Sequence, residues 1–179
     1  MVKRVPEVVT FWHAAGEERW FAKDEAFDRE CEERFLTLHM AAAARRHDDW
    51  MATAEGALAL LILTDQLPRN VFRGTGHMYA TDPLARFYAR AALEAGFMEH
   101  VAPELRLFFS LPFAHSEDLA DQEISVALSR QLGGDALEHS LGHRDIIARF
   151  GRFPHRNPLL GRETTEEEAA FLRAGGFAG

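Results

Sequence analysis

One stretch of fourteen residues, 149–162, concentrates side chains that can bind anions. It reads RFGRFPHRNPLLGR and holds four arginines, a histidine and an asparagine together with two glycines and two prolines. Glycine and proline constrain an irregular backbone path, and the intervening phenylalanines and leucines can anchor that path to a core. Guanidinium groups bind carboxylates and phosphates through paired hydrogen bonds. The stretch therefore predicts a preorganised polar site, with Arg149, Arg152, Arg156 and Asn157 as ligand-binding residues. We expect Phe153 to turn inward as the anchor, so that the guanidiniums of Arg152 and Arg156 face one ligand group.

A second polar group follows a helix that is apolar on all sides. It consists of Asp65, Gln66, Arg69 and Asn70. Asp65 stands at the carboxyl end of the predicted helix, where the helix dipole disfavours an anion, so it needs a cationic partner. Arg69 or an arginine of the 149–162 stretch can supply that charge. Two interpretations stay open: a buried ion pair that ties a loop to the core, and a ligand-facing group.

A third polar group surrounds the predicted start of another helix. Glu117 and Asp121 are four residues apart, which would place two carboxylates on one helix face. Such a pair repels unless a cation or a shared proton lies between its members. His115 precedes the pair and Gln122 follows it. The alternatives are a capped helix with a solvated acidic face, and a face that takes part in binding or proton transfer.

Histidines give the remaining candidates for chemistry. His139 and His143 have the spacing of two zinc ligands on a helix, but Ser140 rather than a glutamate follows the first, so the metalloprotease motif is absent. We predict neither a metal nor another cofactor. The candidates for general acid or base are His115, Glu117, His143 and His155. Because buried charges need partners, we expect the three polar groups to converge in one pocket.

Composition excludes several classes of function. The net charge of −8 argues against nucleic-acid binding, which requires a basic surface. No run of about 18 apolar residues and no signal-peptide pattern is present, so we expect a cytoplasmic protein without membrane contact. Cys31 is the single cysteine, so no disulfide framework is expected. P-loop, dinucleotide-binding and nucleophile-elbow motifs are absent.

The elements that must position these residues are all predicted to be helical. Caps and apolar residues at helical spacing predict helices over 5–15, 25–46, 54–66, 83–95, 103–111, 117–132, 136–150 and 166–173. The predicted caps are Asp24, Thr53, Asp82, Ser116, Asp135 and Thr165, the last in a capping box with Glu168, and Pro68 is predicted to end the third helix. The chain is thus predicted as all-α, with seven to eight helices in a tetratricopeptide-like α-solenoid or a compact bundle. We expect one domain over 1–173 and a flexible C-terminal tail over 174–179.

Three segments resemble a known bacterial family. They are LALLILTDQLPRNVFRGT (58–75), FSLPFAHSEDLADQ (109–122) and HRDIIARFGRFPHRNPLLGR (143–162), and they are similar to domain-of-unknown-function family 924. The resemblance covers nearly the whole chain and implies a tetratricopeptide-like all-α fold. It departs at His13, where the family usually has an aromatic residue. The family has no established activity, so the resemblance assigns no catalytic residue.

Three functional hypotheses stay open. The first is a ligand-binding helical domain whose pocket takes a small anionic molecule or a peptide carboxylate. The second is a hydrolase or transferase that uses a histidine as general acid or base. The third is a structural ion-pair network or interaction domain, with a homodimer as one form of it. Internal carboxylates on every arginine would favour the third hypothesis, and a perturbed histidine in a cleft would favour the second.

Overall fold

The structure, a computed structural model, describes residues 5–179, with the backbone alone for Pro6; the first four residues of the predicted domain 1–173 lie outside it. Its α-helices are α1 (Val5–Ala15), α2 (Glu17–Trp20), α3 (Glu25–Ala43), α4 (Ala54–Leu61), α5 (Leu67–Val71), α6 (Asp82–Glu94), α7 (Leu111–Ala114), α8 (Leu119–Leu132), α9 (Ala136–Phe150) and α10 (Glu166–Arg173). A π-helical turn spans Ile62–Gln66, and 3-10 turns span Asp48–Ala52, Gly76–Tyr79, Phe97–His100, Pro103–Phe109, Pro154–Arg156 and Pro158–Leu160. Residues 5–179 contain no strand, which confirms the all-α prediction.

The chain divides into two compact units. Among the described residues, unit 1 comprises 5–73 and 77–112, and unit 2 comprises 74–76 and 113–179. The expectation of a single domain over 1–173 and the expectation of tetratricopeptide-like solenoid packing stay predictions.

Unit 1 is built around α4. Its residues from Gly56 to Leu61 are all buried, as its continuous apolar sequence predicts, and it packs against α1 and α6. The predicted cap Thr53 is confirmed, since its side chain accepts a hydrogen bond from Gly56 N. The predicted cap Asp24 is also confirmed, because its carboxylate accepts from the first amides of α3. In the same unit α3 packs against α5.

The prediction that Pro68 ends the third helix is wrong. The chain passes from α4 through the π-helical turn directly into α5, which includes Pro68 near its start. Proline lacks an N–H, but the first residues of a helix need no intrahelical acceptor, so the ring is tolerated there. Pro68 therefore lies in the first turn of a new helix. The wider π turn before it, in which Leu67 N donates to Ile62 O, joins this helix to α4.

Several predicted helix boundaries are also corrected. Asp82 is the first residue of α6 and Thr81 occupies the cap position. Ser116 is not a cap: Asp118 caps α8, because its carboxylate accepts from Ala120 N and Asp121 N, so the helix begins two residues later than predicted. Asp118 offers the better acceptor, since a carboxylate also benefits from the helix dipole.

Three further boundaries differ by local geometry. Helix α3 ends at Ala43 rather than near residue 46, because Arg45 takes a left-handed conformation, φ 59°. The predicted helix over 103–111 is a 3-10 turn that ends at Phe109, and Pro112 then lies inside α7. Asp135 occupies the cap position of α9 but its side chain makes no capping hydrogen bond.

Unit 2 consists mainly of α8, α9 and α10. Helices α8 and α9 pack together through the buried hydroxyls of Ser129 and Ser140, which lie 2.6 Å apart. The predicted capping box of α10 is confirmed, with Thr165 and Glu168 each bonding the other's backbone N–H. Between α9 and α10 runs the 149–162 stretch, and its position decides the geometry of the candidate site.

Candidate functional site

Phe153 is the anchor of the 149–162 stretch. Helix α9 ends at Phe150, and Gly151 takes a left-handed conformation, φ 68°, that turns the chain away from the helix axis. Phe153 is 1% exposed and packs with Ile146 and Ile147. The expectation that Phe153 turns inward is therefore confirmed, and the polar residues on either side of it are held at fixed positions.

Glu117 connects the start of unit 2 to this anchor. Its Oε1 accepts a hydrogen bond from Phe153 N at 2.8 Å, and both its oxygens accept from the Arg162 guanidinium at 2.7 and 2.9 Å. Burial by itself raises the pKa of Glu117, but the hydrogen bonds from Arg162 and Phe153 hold the net pKa below its usual range. Glu117 is thus an ionised structural acceptor, which does not fit its predicted candidacy as a proton donor.

The predicted pairing of two acids on one helix face is wrong. Glu117 precedes α8 and faces Arg162, whereas Asp121 lies in the first turn of α8 and accepts from Ser116 Oγ at 2.7 Å. Gln122 is fully buried and donates to Ala114 O and Ser116 O. These bonds hold the bend between α7 and α8, so Gln122 Nε2 positions backbone, and a role of Gln122 in ligand binding stays a prediction.

Arg152 is paired with a carboxylate of unit 2. Its Nε and Nη2 donate to the two oxygens of Glu168 at 2.6 and 2.9 Å, and Nη2 also donates to Glu163 O. Asn157 Nδ2 donates to the same carboxylate at 3.1 Å. Arg152 holds the pKa of Glu168 at about 2. Arg149, at the surface, bonds Glu167.

Arg156 has different surroundings. It is buried, its guanidinium lies 4.5 Å above the Phe153 ring, and Nη2 donates to His115 O at 3.0 Å. Arg152 and Arg156 therefore diverge: the first turns to Glu168 and the second to the ring of Phe153. The expectation that both guanidiniums face one ligand group does not fit this geometry.

Two histidines complete the surroundings of Phe153. The His143 ring meets it edge-on with centroids 5.5 Å apart, and the His155 ring lies 5.7 Å away. We call His143, Phe153, His155 and Arg156 the Phe153 cluster. The Nδ1 atoms of His143 and His155 are buried and make no hydrogen bond within the described residues.

The pKa values of both histidines are low. Burial, followed by the charges of His115, Arg156 and further histidines, lowers the pKa of His143 to about 3. Burial and then Arg156 lower the pKa of His155 to about 4, against an opposing effect of Glu117. Both imidazoles are therefore neutral at pH 7, and the Arg156 guanidinium gives each of them a cationic neighbour.

The second predicted group lies in unit 1, at the π-helical turn. Asp65 is 1% exposed, and Gln66 Nε2 donates to its Oδ2 at 2.5 Å. Arg69 forms a two-pronged bond to Asp82, 3.0 Å on each side, and lies 3.5 Å from the Asp65 carboxylate. Asn70 Nδ2 donates to Asp28. Asp65, Arg69 and Asp82 thus form a largely buried ion-pair group, as the structural alternative expects, and the ligand-facing alternative stays a prediction.

The structure bears on the prediction of one shared pocket only for the residues of unit 2. There the structure brings together His115, Glu117, His143, Arg152, His155, Arg156 and Asn157 around or beside Phe153. Asp65, Gln66, Arg69 and Asn70 belong to unit 1, and their convergence with the other residues stays a prediction.

Three residues that contact the candidate site residues were not themselves predicted as site residues. Glu168 was predicted as part of the capping box at the start of α10, and the structure confirms that position. The capping-box pattern does not reveal that the same carboxylate also binds Arg152. Asp82, predicted as a cap, binds Arg69 instead. Phe177 has no local sequence signal; its ring lies 4.6 Å from that of His143.

The described part of the chain contains neither a metal-binding cluster nor a membrane-spanning helix. Residues 5–179 contain no group of three or more histidine, cysteine, aspartate or glutamate side chains arranged to hold a metal ion. No helix among them has the length and apolar character to cross a membrane. A surface concavity of unit 1 is lined by Phe11, Phe27 and Arg34 and by none of the predicted site residues.

The all-helical fold and the arginine-rich stretch anchored by Phe153 agree with the family resemblance. The chain belongs to the family described as bacterial proteins of unknown function (DUF924), whose family model matches residues 8–176. It is similar to the solved structure of a protein of unknown function, ATU0120 from Agrobacterium tumefaciens. The two are 53% identical, the match covers 96% of this chain and 97% of that one, and the TM-score is 0.94. A comparison with curated proteins gives no match.

Proposed function

We propose that unit 2 binds a small anionic molecule or a peptide carboxylate at the Phe153 cluster. The observation that carries this proposal is the pair of buried Nδ1 atoms of His143 and His155, neither of which has a hydrogen-bond partner among the described residues. Buried polar atoms of folded proteins nearly always have a partner in the protein, in water or in a ligand. Two such atoms in one cluster support a site for a polar ligand.

The sign of the local potential supports an anion. Arg156 lowers the pKa of both His143 and His155, which means that its field opposes a positive charge at either imidazole. The same field attracts a negative group. A bound carboxylate could accept hydrogen bonds from the imidazoles, and binding would then favour their protonation.

The other arginines of the stretch support a structural role. Arg149, Arg152 and Arg162 each bond an internal carboxylate, those of Glu167, Glu168 and Glu117 respectively. These pairs hold the irregular segment in place and are a second function of the same residues. We restrict the proposed ligand-binding residues to Arg156, His143 and His155, which lie around the Phe153 ring.

Binding fits the cluster better than general acid–base catalysis. A general base is most effective when its pKa lies near the working pH. At pH 7 an imidazole with a pKa of about 3 or 4 is a weak base, which disfavours His143 and His155 in that role. Glu117 is occupied by Arg162 and the Phe153 amide.

Titration with acetate and phosphate tests the proposal. Thermal melting should rise beyond the effect of a chloride salt at matched ionic strength, since a ligand in hundredfold excess over its Kd stabilises the folded state by about 2.7 kcal/mol. In Arg156→Met the long apolar side chain can still cover Phe153 but carries no charge, so this specific rise should disappear. Arg130→Met, at an exposed arginine of the same unit, is the matched control.

Histidine NMR gives an independent measurement. The ring resonances of His143 and His155 should shift on addition of acetate, and their pKa values should rise, because a bound anion favours imidazolium. An equal melting response in wild type and Arg156→Met, with no shift of these resonances, contradicts the proposal and leaves the structural role alone.

A further inference from the structure

The segment that follows α10, residues 174–179, brings another aromatic ring to the Phe153 cluster. The centroid of the Phe177 ring lies 4.6 Å from His143, 5.1 Å from His155 and 6.4 Å from Phe153. The interplanar angles of 58°, 86° and 61° are tilted or edge-on, as favourable aromatic pairs prefer. Three rings of the cluster thus form a slot that accepts an aromatic group.

Phe177 fills this slot incompletely. Its side chain is 41% exposed, whereas Phe153 beside it is 1% exposed. A ring with so much surface in water gains only part of the free energy that full burial provides. Another ring can therefore replace Phe177 without opening the packed core around Phe153.

The backbone of the same segment is directed toward the cluster. Gly176 N donates to Phe171 O at 3.0 Å, and a Cβ at Gly176 would lie 2.5 Å from the Phe171 ring, so a side chain there would push the turn and that ring apart. Further along, Gly179 passes close to His155: a Cβ there would be 3.0 Å from Cδ2 and 3.2 Å from Nε2. The segment thus lies against the imidazole as a bound peptide would.

We infer that the ligand of the Phe153 cluster is an aromatic carboxylate, and that Phe177 holds the place of its ring when no ligand is bound. This inference rests on the proposed function, which accounts for the anionic group, while His143, Phe153 and His155 recognise the ring. Phe177 then competes with the ligand for the slot. Only molecules whose slot is free of Phe177 can bind the ligand, so the apparent affinity is the intrinsic affinity multiplied by the fraction of such molecules. The aromatic acid is either a free small molecule or the last residue of a peptide.

Removal of the competitor tests the inference in the full chain. Phe177→Ala deletes the ring, and Gly176→Ala keeps it but forces the turn away from Phe171. Phe21→Ala, at an exposed phenylalanine of unit 1, is the matched control. Affinity is measured by calorimetry for 3-phenylpropionate and for butanoate, a carboxylate without a ring, and histidine NMR reports the site.

Both variants of the segment should bind 3-phenylpropionate about tenfold more tightly than wild type, and Phe21→Ala should match wild type. Butanoate should gain less than about twofold in either variant, because it has no ring to place in the slot. The tripeptide Ala-Ala-Phe distinguishes the two sources. Tighter binding than 3-phenylpropionate assigns a peptide end, and weaker or equal binding assigns a free aromatic acid; both results support the shared chemistry.

Two results overturn the inference in distinguishable ways. If Phe177→Ala binds 3-phenylpropionate no better than wild type does, or binds both acids equally, the aromatic assignment is wrong while the anion site stands. If neither acid shifts the resonances of His143 and His155 in any variant, the proposed function and the inference are both overturned.

Discussion

The Thr81 hydroxyl donates a 2.6 Å hydrogen bond to the Thr64 carbonyl oxygen, beside a proline that cannot make that bond. In a regular α-helix the N–H of residue 68 would donate to residue 64, but Pro68 has no N–H. A side chain from the start of α6 thus replaces a missing backbone donor. Pro68 lies in the first turn of α5, and the Thr81 hydroxyl gives the Thr64 carbonyl oxygen a donor that the proline cannot supply.

The two neighbouring carbonyls are also bound by side chains. Leu63 O accepts from His39 Nδ1 at 2.8 Å, and Asp65 O accepts from the Arg69 guanidinium. The π-helical turn therefore presents three consecutive carbonyls to three side-chain donors. Because these groups are buried, each lost donor would leave an acceptor without compensation.

Replacement of Thr81 by valine tests whether the Thr81 hydroxyl takes the place of the missing backbone N–H of Pro68. Thr81→Val keeps the shape but removes the hydroxyl, and we expect it to lower the free energy of unfolding by about 1–3 kcal/mol. Pro68→Ala supplies a backbone N–H and should make the same replacement less costly. Urea unfolding of the four proteins of this double-mutant cycle measures the coupling. Equal costs in both backgrounds would show that Thr81 does not replace the Pro68 donor.

Loss of the Glu168 carboxylate should destabilise unit 2. It accepts from Arg152, Asn157 and Thr165 N, so Glu168→Ala leaves several donors unpaired and should cost about 3 kcal/mol at pH 7. Glu166→Ala, at an exposed glutamate of the same helical turn, is the control and should change stability little. Chemical unfolding followed by circular dichroism measures both. Similar costs for the two variants contradict a buried structural role for Glu168.

The same carboxylate predicts a response to acid. The pKa of Glu168 in the folded protein is about 2, below that of an ordinary glutamate, so its contribution is fully present above about pH 5. That contribution should be lost as the pH falls toward 2. Unfolding free energies of wild type and Glu168→Gln, measured from pH 5 to pH 3, should converge. Parallel curves would indicate that Glu168 does not have a lowered pKa.

The buried histidines predict a second pH dependence. Burial lowers the pKa of His39, as it does for His143 and His155, so the unfolded chain binds protons more readily than the folded protein. Their contribution is complete above about pH 6.5 and falls below it, by about 1.4 kcal/mol per pH unit for each group. His143→Gln should reduce this slope by one group between pH 6 and pH 4.5. An unchanged slope excludes His143 as a buried neutral histidine.

Two glycines within helices should respond oppositely to alanine. A Cβ at Gly56, in α4, would lie 2.0 Å from the Trp50 carbonyl oxygen, so Gly56→Ala must displace backbone and should destabilise unit 1 by at least about 1 kcal/mol. A Cβ at Gly142, in α9, would meet nothing within 4 Å, so Gly142→Ala should stabilise by about 0.5–1 kcal/mol. Thermal melting of the two variants measures the contrast. Changes of the same sign would contradict it.

Elements that depend on local interactions could be predicted from the sequence. The caps Asp24, Thr53 and Thr165 were predictable because a capping side chain bonds amides only two or three residues away. Helical spacing of apolar residues likewise identified α4 as buried and the chain as all-α. Phe153 was predictable as an anchor because glycine and proline around it exclude a regular helix.

Which charged groups form ion pairs depends on tertiary packing. Arg162 bonds Glu117, 45 residues away, and Arg152 bonds Glu168, so neither partner could be read from spacing along the chain. The Thr64 carbonyl oxygen beside Pro68 likewise accepts from the Thr81 hydroxyl, 17 residues away. The physical reason is that the pairing of buried polar groups follows from packing: each donor takes the acceptor that the folded core brings within about 3 Å, and sequence distance does not enter that choice.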